Sequence, residues 1–303
     1  MKIASREGFK EMNQLQMVRM DLEAEVLQNV QLPGFLGNVL RGCLGRALLR
    51  QNCGMGSPDC ETCSRRGGCV YPNVFKVIRS TTAFPTMPAP FVIRAPEFGK
   101  RQWQAGEALK FSILLFGSAI RWSTEILQAA STIFEGRFAQ TQGALRLQAV
   151  HDGFTGQSAE NELQIAVWSD TGAQSIPPVQ GVKIRFLSPT QVFQDHFVVE
   201  KPEFSLFMDS LFARIAAMVD IYGEEEFVLP YGLVGRKPQV AARVSTQRIT
   251  IPQDRGQRVD GIIGEIVYEG NVTRYLPYLD LGTQLHIGKK TTRGCGQYEI
   301  EIF

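Results

Sequence analysis

Two stretches of this 303-residue chain pass through the same succession of hydrophobic periods, and that duplication limits the fold more than any other feature. In the first stretch Val18, Met20, Leu22, Ala24 and Val26 alternate with Arg19, Asp21, Glu23 and Glu25, the period of two of a half-buried strand. Leu36, Val39, Leu40, Cys43, Leu44, Ala47 and Leu48 then recur at three and four, which predicts a helix over 34–50 behind Pro33. Strands are predicted over 91–95, 108–116 and 145–150, with a helix over 118–134 before the last of them. The second stretch repeats the order. A strand is expected over 182–187, then a helix over 202–222 that buries Phe204, Phe207, Leu211 and Ile215. Strands over 243–251 and 259–268, a short helix from Pro277 and a strand over 297–302 complete it. Twice over, the order is β-α-β-β-α-β, the split βαβ arrangement. The expected fold is therefore α+β, with two tandem ferredoxin-like (RRM-like) domains. The first spans 1–151 with a cysteine insertion at 53–69. A linker over 152–181 holds Gly, Ser and a Pro pair and a short strand around 163–168, and the second domain spans 182–303.

Gly34, Gly37, Gly42 and Gly45 stand in or at the edge of the first helix, where each interior glycine costs about 1 kcal/mol against alanine. Their presence points to a close packing contact or to the near approach of another backbone.

Length suits two domains, and 44% hydrophobic with 20% charged residues allows ordinary cores and excludes disordered and fibrous classes. No apolar run reaches the roughly 18 residues of a membrane helix, and MKIASREGFKEMNQ lacks the apolar stretch of a signal peptide. The expected location is cytoplasmic, with no membrane partner. Net charge is only +2, but Lys and Arg outnumber Asp and Glu by 18 to 11 over 1–151 and by 10 to 5 over 236–293. Between them, over 152–235, acidic residues lead by 12 to 4. Two basic regions suit a polyanion partner, or a solvated surface.

The segment GKKTTRGCGQYEI over 288–300 joins the last helix to the last strand. Gly288, Gly294 and Gly296 leave the backbone open to a phosphate, and Lys289, Lys290 and Arg293 set cations beside it. An ordinary helix-to-strand turn is the other reading. Arg236, Lys237, Arg243, Arg248, Arg255 and Arg258 form a second basic stretch across a hairpin; Arg243 and Arg248, an odd number apart, face opposite sides of a regular strand. Such a hairpin either reaches into a polyanion or guards a sheet edge with charge.

Cys53, Cys60, Cys63 and Cys69 gather four thiols in a chain without export signals, which argues for a metal rather than disulfides. The central Cys-x-x-Cys with its flanking pair fits a closed structural zinc site, with an iron–sulfur cluster as the alternative. Such a closed site leaves no position open for catalysis. Cys43 lies on the apolar stripe, and Cys295 between two glycines is expected to be more exposed.

Three of these features together carry a resemblance. The glycine-rich GKKTTRGCGQYEI resembles the loop of the RAMP proteins, above all the CRISPR precursor-RNA processing endoribonucleases. LPGFLGNVLRGCLGRALLR over 32–50 is similar to their first helix, including Leu40-Arg41-Gly42. The cysteine quartet, followed by Tyr71-Pro72 and Phe75, resembles an insertion in one branch of that family. The resemblance implies metal-independent cleavage of CRISPR repeat RNA, in which a 2′-hydroxyl attacks the adjacent phosphate and leaves a 2′,3′-cyclic phosphate. It also implies crRNA and subunits of CRISPR effector complexes as partners. Members commonly carry a catalytic histidine near the first helix, and this chain has none before His151. The expected proton carrier is therefore His286, beside the loop, with Lys289 and Arg41 steadying the charged phosphate. Two other readings remain: a noncatalytic RAMP subunit that holds repeat-derived RNA, and a zinc-stabilised interaction protein.

Overall fold

The structure, a computed structural model, describes residues 2–3, 14–53, 59–77, 87–159, 163–169, 177–224, 227–229, 233, 239–252 and 258–303. They form two compact units. The first comprises residues 16–166 with 292–294, and the second comprises 1–15, 167–291 and 295–303.

In the first unit the strands are β1 (Gln14–Val26), β2 (Phe91–Arg94), β3 (Ala108–Phe116) and β4 (Leu145–Asp152), and the helices are α1 (Gly37–Asn52) and α2 (Ser123–Ser131). Four strands of its five-stranded sheet run β4-β1-β3-β2, each antiparallel to its neighbour. This is the order of a ferredoxin-like domain. The register places Met20 opposite Ile113 and Leu22 opposite Phe111 on the helix-covered face. Glu23 and Glu25 look out on the other face, where they pair with Lys110 and Arg146. α1 buries Leu40, Cys43, Leu44, Ala47 and Leu48, the stripe read from the sequence. α2 is shorter than its apolar spacing suggests, because Gly117 at φ +53 opens a 3₁₀ turn, Gly117–Trp122, ahead of it.

In the second unit the elements are β5 (Gly181–Thr190), α3 (Phe204–Tyr222), β6 (Ala241–Pro252), β7 (Arg258–Glu269), α4 (Leu276–Leu285) and β8 (Tyr298–Ile302). The sheet order is β6-β7-β5-β8, the same topology again. Its core is aromatic. Phe207 contacts Phe186, Tyr268 and Tyr298, while Phe204 and Phe212 meet Tyr275. Buried phenols need acceptors, and Tyr268 donates to Pro202 O at 2.8 Å and Tyr298 to Leu279 O at 2.7 Å. Gly282 makes room for the latter, since a Cβ there would lie 1.9 Å from the Tyr298 hydroxyl. A short strand, Ala166–Ser169, falls in the expected linker. Among the described residues no helix is long and apolar enough to cross a membrane.

Candidate nucleic-acid interface

The glycine-rich segment begins where α4 ends. His286 adopts φ +58 at the helix terminus and is fully buried. Its Nδ1 lies 3.0 Å from Cys295 O; a carbonyl can only accept, so Nδ1 carries the proton. The Ile287 N–H donates to Gly296 O, the Gly296 N–H to Pro189 O and the Cys295 N–H to Lys290 O. Gly288 and Gly296, both at φ +76, sit where a Cβ would fall 2.1 Å from Gln191 O and 1.9 Å from Ile287 O. Gly294, at φ +80, is buried within the first unit, packed against Ala95 and the Gly37 Cα.

These positions correct three expectations. The amides of Cys295 and Gly296 already have acceptors, so the glycines serve left-handed backbone and close packing rather than an open amide cradle at 294–296. His286 cannot reach a substrate from a fully buried position. Cys295 is fully buried, not exposed.

The loop's side chains remain at the surface. Lys289 is exposed and its Nζ lies 4.6 Å from the Phe193 ring centroid; Gly288, Lys290 and Arg293 are half-buried. Lys290, at φ +62, donates from Nζ to Arg258 O at 2.9 Å. Beneath them Arg214 of α3 donates to Thr291 Oγ1 at 3.1 Å and to Leu285 O at 3.4 Å. Burial pushes its guanidinium down to about 10, so this cation braces the loop through neutral acceptors.

Two hairpins flank the loop within the second unit. β6 is an edge strand without a buried residue. Its Arg248 is exposed opposite Ile262, on the core-side face, and Arg243 lies on the other face and pairs with Glu269. On that open face Lys183 pairs with Glu301 and Arg185 with Glu299. None of the described strand residues on that face is aromatic, so it lacks the stacking platform of an RNA-binding sheet. Arg236 and Lys237, with Arg255, lie outside the described residues. The second hairpin pairs Phe193–Gln194 with Phe197–Val198 across a turn in which Asp195 and His196 have φ +49 and +69. Phe197 on its tip is 76% exposed. No sequence expectation covers this element, although Phe193 and Phe197 on either side of the polar Gln194-Asp195-His196 in FQDHFV are a usable signal.

Arg41 is placed in the first unit. Its Nε donates to Thr292 Oγ1 at 3.2 Å, an Nη donates to Phe75 O at 3.3 Å, and the guanidinium lies 4.3 Å from the Phe75 ring centroid. Burial and the Arg293 cation push its pKa down, against an opposing effect of Tyr71. Gly45 is glycine because a Cβ would lie 2.5 Å from the Phe75 ring. Gly37 is glycine because a Cβ would lie 1.9 Å from Arg293 O, the close backbone approach that the sequence suggests. His286 and Lys289 belong to the second unit and Arg41 to the first.

The cysteine loop adjoins this cluster. Tyr71 stacks on Phe75, and Asn73 ties the segment down by donating to Arg66 O and Cys69 O. Cys60 is buried; burial pushes its thiol up, and the neighbouring Cys69, Cys53 and Cys63 add to that against the opposing effect of Lys76. All four thiols are free, a donor set that suits zinc or an iron–sulfur cluster. Among the described residues no group of three His, Cys, Asp or Glu side chains is placed to hold a metal ion.

Comparison with known proteins follows this division. The family model AF_1859_N, an N-terminal domain, matches residues 15–180, and that of the CRISPR-associated endoribonuclease Cas6 matches residues 184–298. An uncharacterized protein of Archaeoglobus fulgidus is 31% identical over 96 residues, covering 32% of this chain and 33% of that protein. A solved Cas6-RT-Cas1–Cas2 complex superposes with TM-score 0.61 at 11% identity over 97% of this chain and 47% of its counterpart. Thermus thermophilus Cas6 gives 0.55 at 15% identity over 95% and 99%, and a Cas6 product complex gives 0.53 at 19% over 94% and 99%. The chain thus spans a third of the curated relative and about half of the first of these structures. At such identities the structures speak for the fold, which they share with this chain in both halves. The AF_1859-type N-terminal domain model covers more than half of the chain, so the chain belongs to the proteins built on that domain, and its residues 184–298 match the Cas6 model.

Proposed function

We propose that this chain binds CRISPR repeat RNA and cleaves it as an endoribonuclease. The observation that carries the reading is the loop at 288–293, whose locked backbone holds Lys289 exposed and Lys290 and Arg293 half-exposed within and beside a Cas6 domain. Fixed cations suit a polyanion because little side-chain freedom is lost on binding. In the reaction, a ribose 2′-hydroxyl attacks the adjacent phosphorus, the 5′-oxygen of the next nucleotide leaves with a proton, and a 2′,3′-cyclic phosphate remains. Lys289 is assigned to the charged phosphate. The test is incubation of end-labelled repeat RNA with the protein in EDTA. Cyclic-phosphate ends support the reading, and RNA left intact and unbound refutes it.

A second reading, a noncatalytic RNA-holding subunit of a CRISPR effector complex, is favoured by one observation. His286 is sequestered, and no histidine precedes His151, so cleavage needs a proton carrier other than imidazole at those positions. Binding without cleavage in the same assay selects this reading.

Cys53, Cys60, Cys63 and Cys69 are proposed to hold a structural zinc ion, with an iron–sulfur cluster as the alternative. The chemistry such an ion supplies is a cross-link of the loop between α1 and Tyr71.

A further inference from the structure

Phe197 stands out from the other large apolar side chains described in the second unit. At 76% exposed it shows far more of its surface than Val167, Ile302 or Phe303, and it sits on a two-residue turn rather than at a chain end. The turn is stiff. Asp195 and His196 both take left-handed backbone, the conformation that matches a hairpin's twist. The Val199 N–H donates to Val192 O at 2.8 Å, which closes the hairpin at its base. Across the two strands Phe197 is the register partner of Gln194, so the pair shares one face, while Phe193 and Val198 share the other.

The base of the hairpin is joined to both basic elements. Gly288 packs against Gln191 O, and Gln191 Nε2 donates to Asp260 O at 2.7 Å. Phe193 lies under the Lys289 ammonium, and Lys290 is bonded to the backbone of Arg258. The exposed Phe197 ring and the Lys289 ammonium over Phe193 therefore belong to opposite faces of one two-residue-wide hairpin. The immediate neighbours of Phe197, namely Gln194, Asp195, His196 and Glu200, are exposed and polar. A lone ring in a polar collar offers no apolar groove for a polypeptide, but it offers one flat face to one planar group.

We propose that Phe197 is a stacking residue for an unpaired base of the bound RNA, on the hairpin whose opposite face meets Lys289 at Phe193. The proposal rests on the RNA-binding reading above and adds a preference for single-stranded over duplex RNA at this site, because a base inside a duplex has no free face. Base–aromatic stacking removed by alanine substitution costs about 5- to 150-fold in affinity.

The experiment measures binding of the full chain and of Phe197→Ala and Phe197→Trp to a labelled mixed-sequence single-stranded RNA and to its blunt duplex, over a range of salt. Phe197→Ala is expected to weaken single-strand binding by the factor above, with duplex affinity and salt slope unchanged, and Phe197→Trp to restore it. An exposed ring makes little contribution to folding, and circular dichroism checks that the variants remain folded. If wild type binds RNA and Phe197→Ala binds it equally well, the stacking role is overturned while the RNA reading stands. Equal loss on duplex and single strand also overturns it, as does capture of a protein subunit by wild type but not Phe197→Ala with RNA affinity unaltered. If wild type binds neither RNA, the RNA reading itself fails and the stacking role with it.

Discussion

Gly37→Ala sets two physical effects against each other. Gly37 lies in the first turn of α1, and alanine there favours the helix by about 0.5–1 kcal/mol. Its Cβ, however, would lie 1.9 Å from Arg293 O and 2.7 Å from Arg293 C. That is roughly 1.5 Å inside ordinary contact, and the obstacle is backbone, which cannot rotate away as a side chain can. Relief requires α1 or the 292–294 segment to move, and forced overpacking of this kind costs about 1–3 kcal/mol. Packing wins, for a net loss of roughly 1–2 kcal/mol in the first unit. For a unit of this size that lowers Tm by about 2–8 °C. The displaced segment also carries Thr292, so the bond from Arg41 Nε to Thr292 Oγ1 should break with it. Urea denaturation and calorimetry of wild type and variant measure the change. A variant as stable as wild type, or more so, refutes the packing of α1 against Arg293.

Three further outcomes follow from buried groups. His286→Ala should lower stability by about 1–3 kcal/mol, through the missing bond to Cys295 O and the cavity left, while cleavage per folded molecule is retained; a rate loss at full stability would return His286 to the chemistry. Burial alone would raise the pKa of Asp152, yet donors from Thr155, Gln164 and Phe154 hold it below the usual carboxylate range. Its contribution is therefore present above about pH 3.9 and is lost as pH falls through its own lower value, so Asp152→Asn should flatten the acid limb of the urea midpoint against pH. An unchanged limb contradicts this. Metal analysis of protein purified without chelator should find about one zinc per chain, absent from Cys60→Ser/Cys63→Ser; metal-free wild type contradicts the site, and iron with a brown colour selects the cluster.

Most of the fold is legible in the sequence because its elements are amphipathic. β1, α1 and α3 each have one buried face, and the alternation or 3.6-residue stripe follows directly from it. The expected α2 is too long because its apolar spacing runs from Trp122 to Ile133, while the 3₁₀ turn that Gly117 opens ahead of it depends on backbone conformation. The site is less legible. A glycine required by the Ile287 or Gln191 carbonyl looks, in sequence, like one required by a phosphate, since both need bare backbone. His286 likewise follows a helix just ahead of the basic loop, and only the fold reveals that Cys295 O lies over it. Arg41 and Thr292 are separated by 251 residues, so no local pattern could pair them. Phe197 is inconspicuous in sequence because exposure, not residue type, is what distinguishes it.

The surface cations of the glycine-rich loop can be tested most directly by the salt dependence of RNA binding. Each phosphate that a protein neutralises on a single strand adds about 0.7 to the steepness of log K against log salt. Lys289→Ala/Lys290→Ala should therefore bind more weakly at low salt and show a slope shallower by about 1.4 than wild type. Identical affinity and identical slope would contradict the account at its centre.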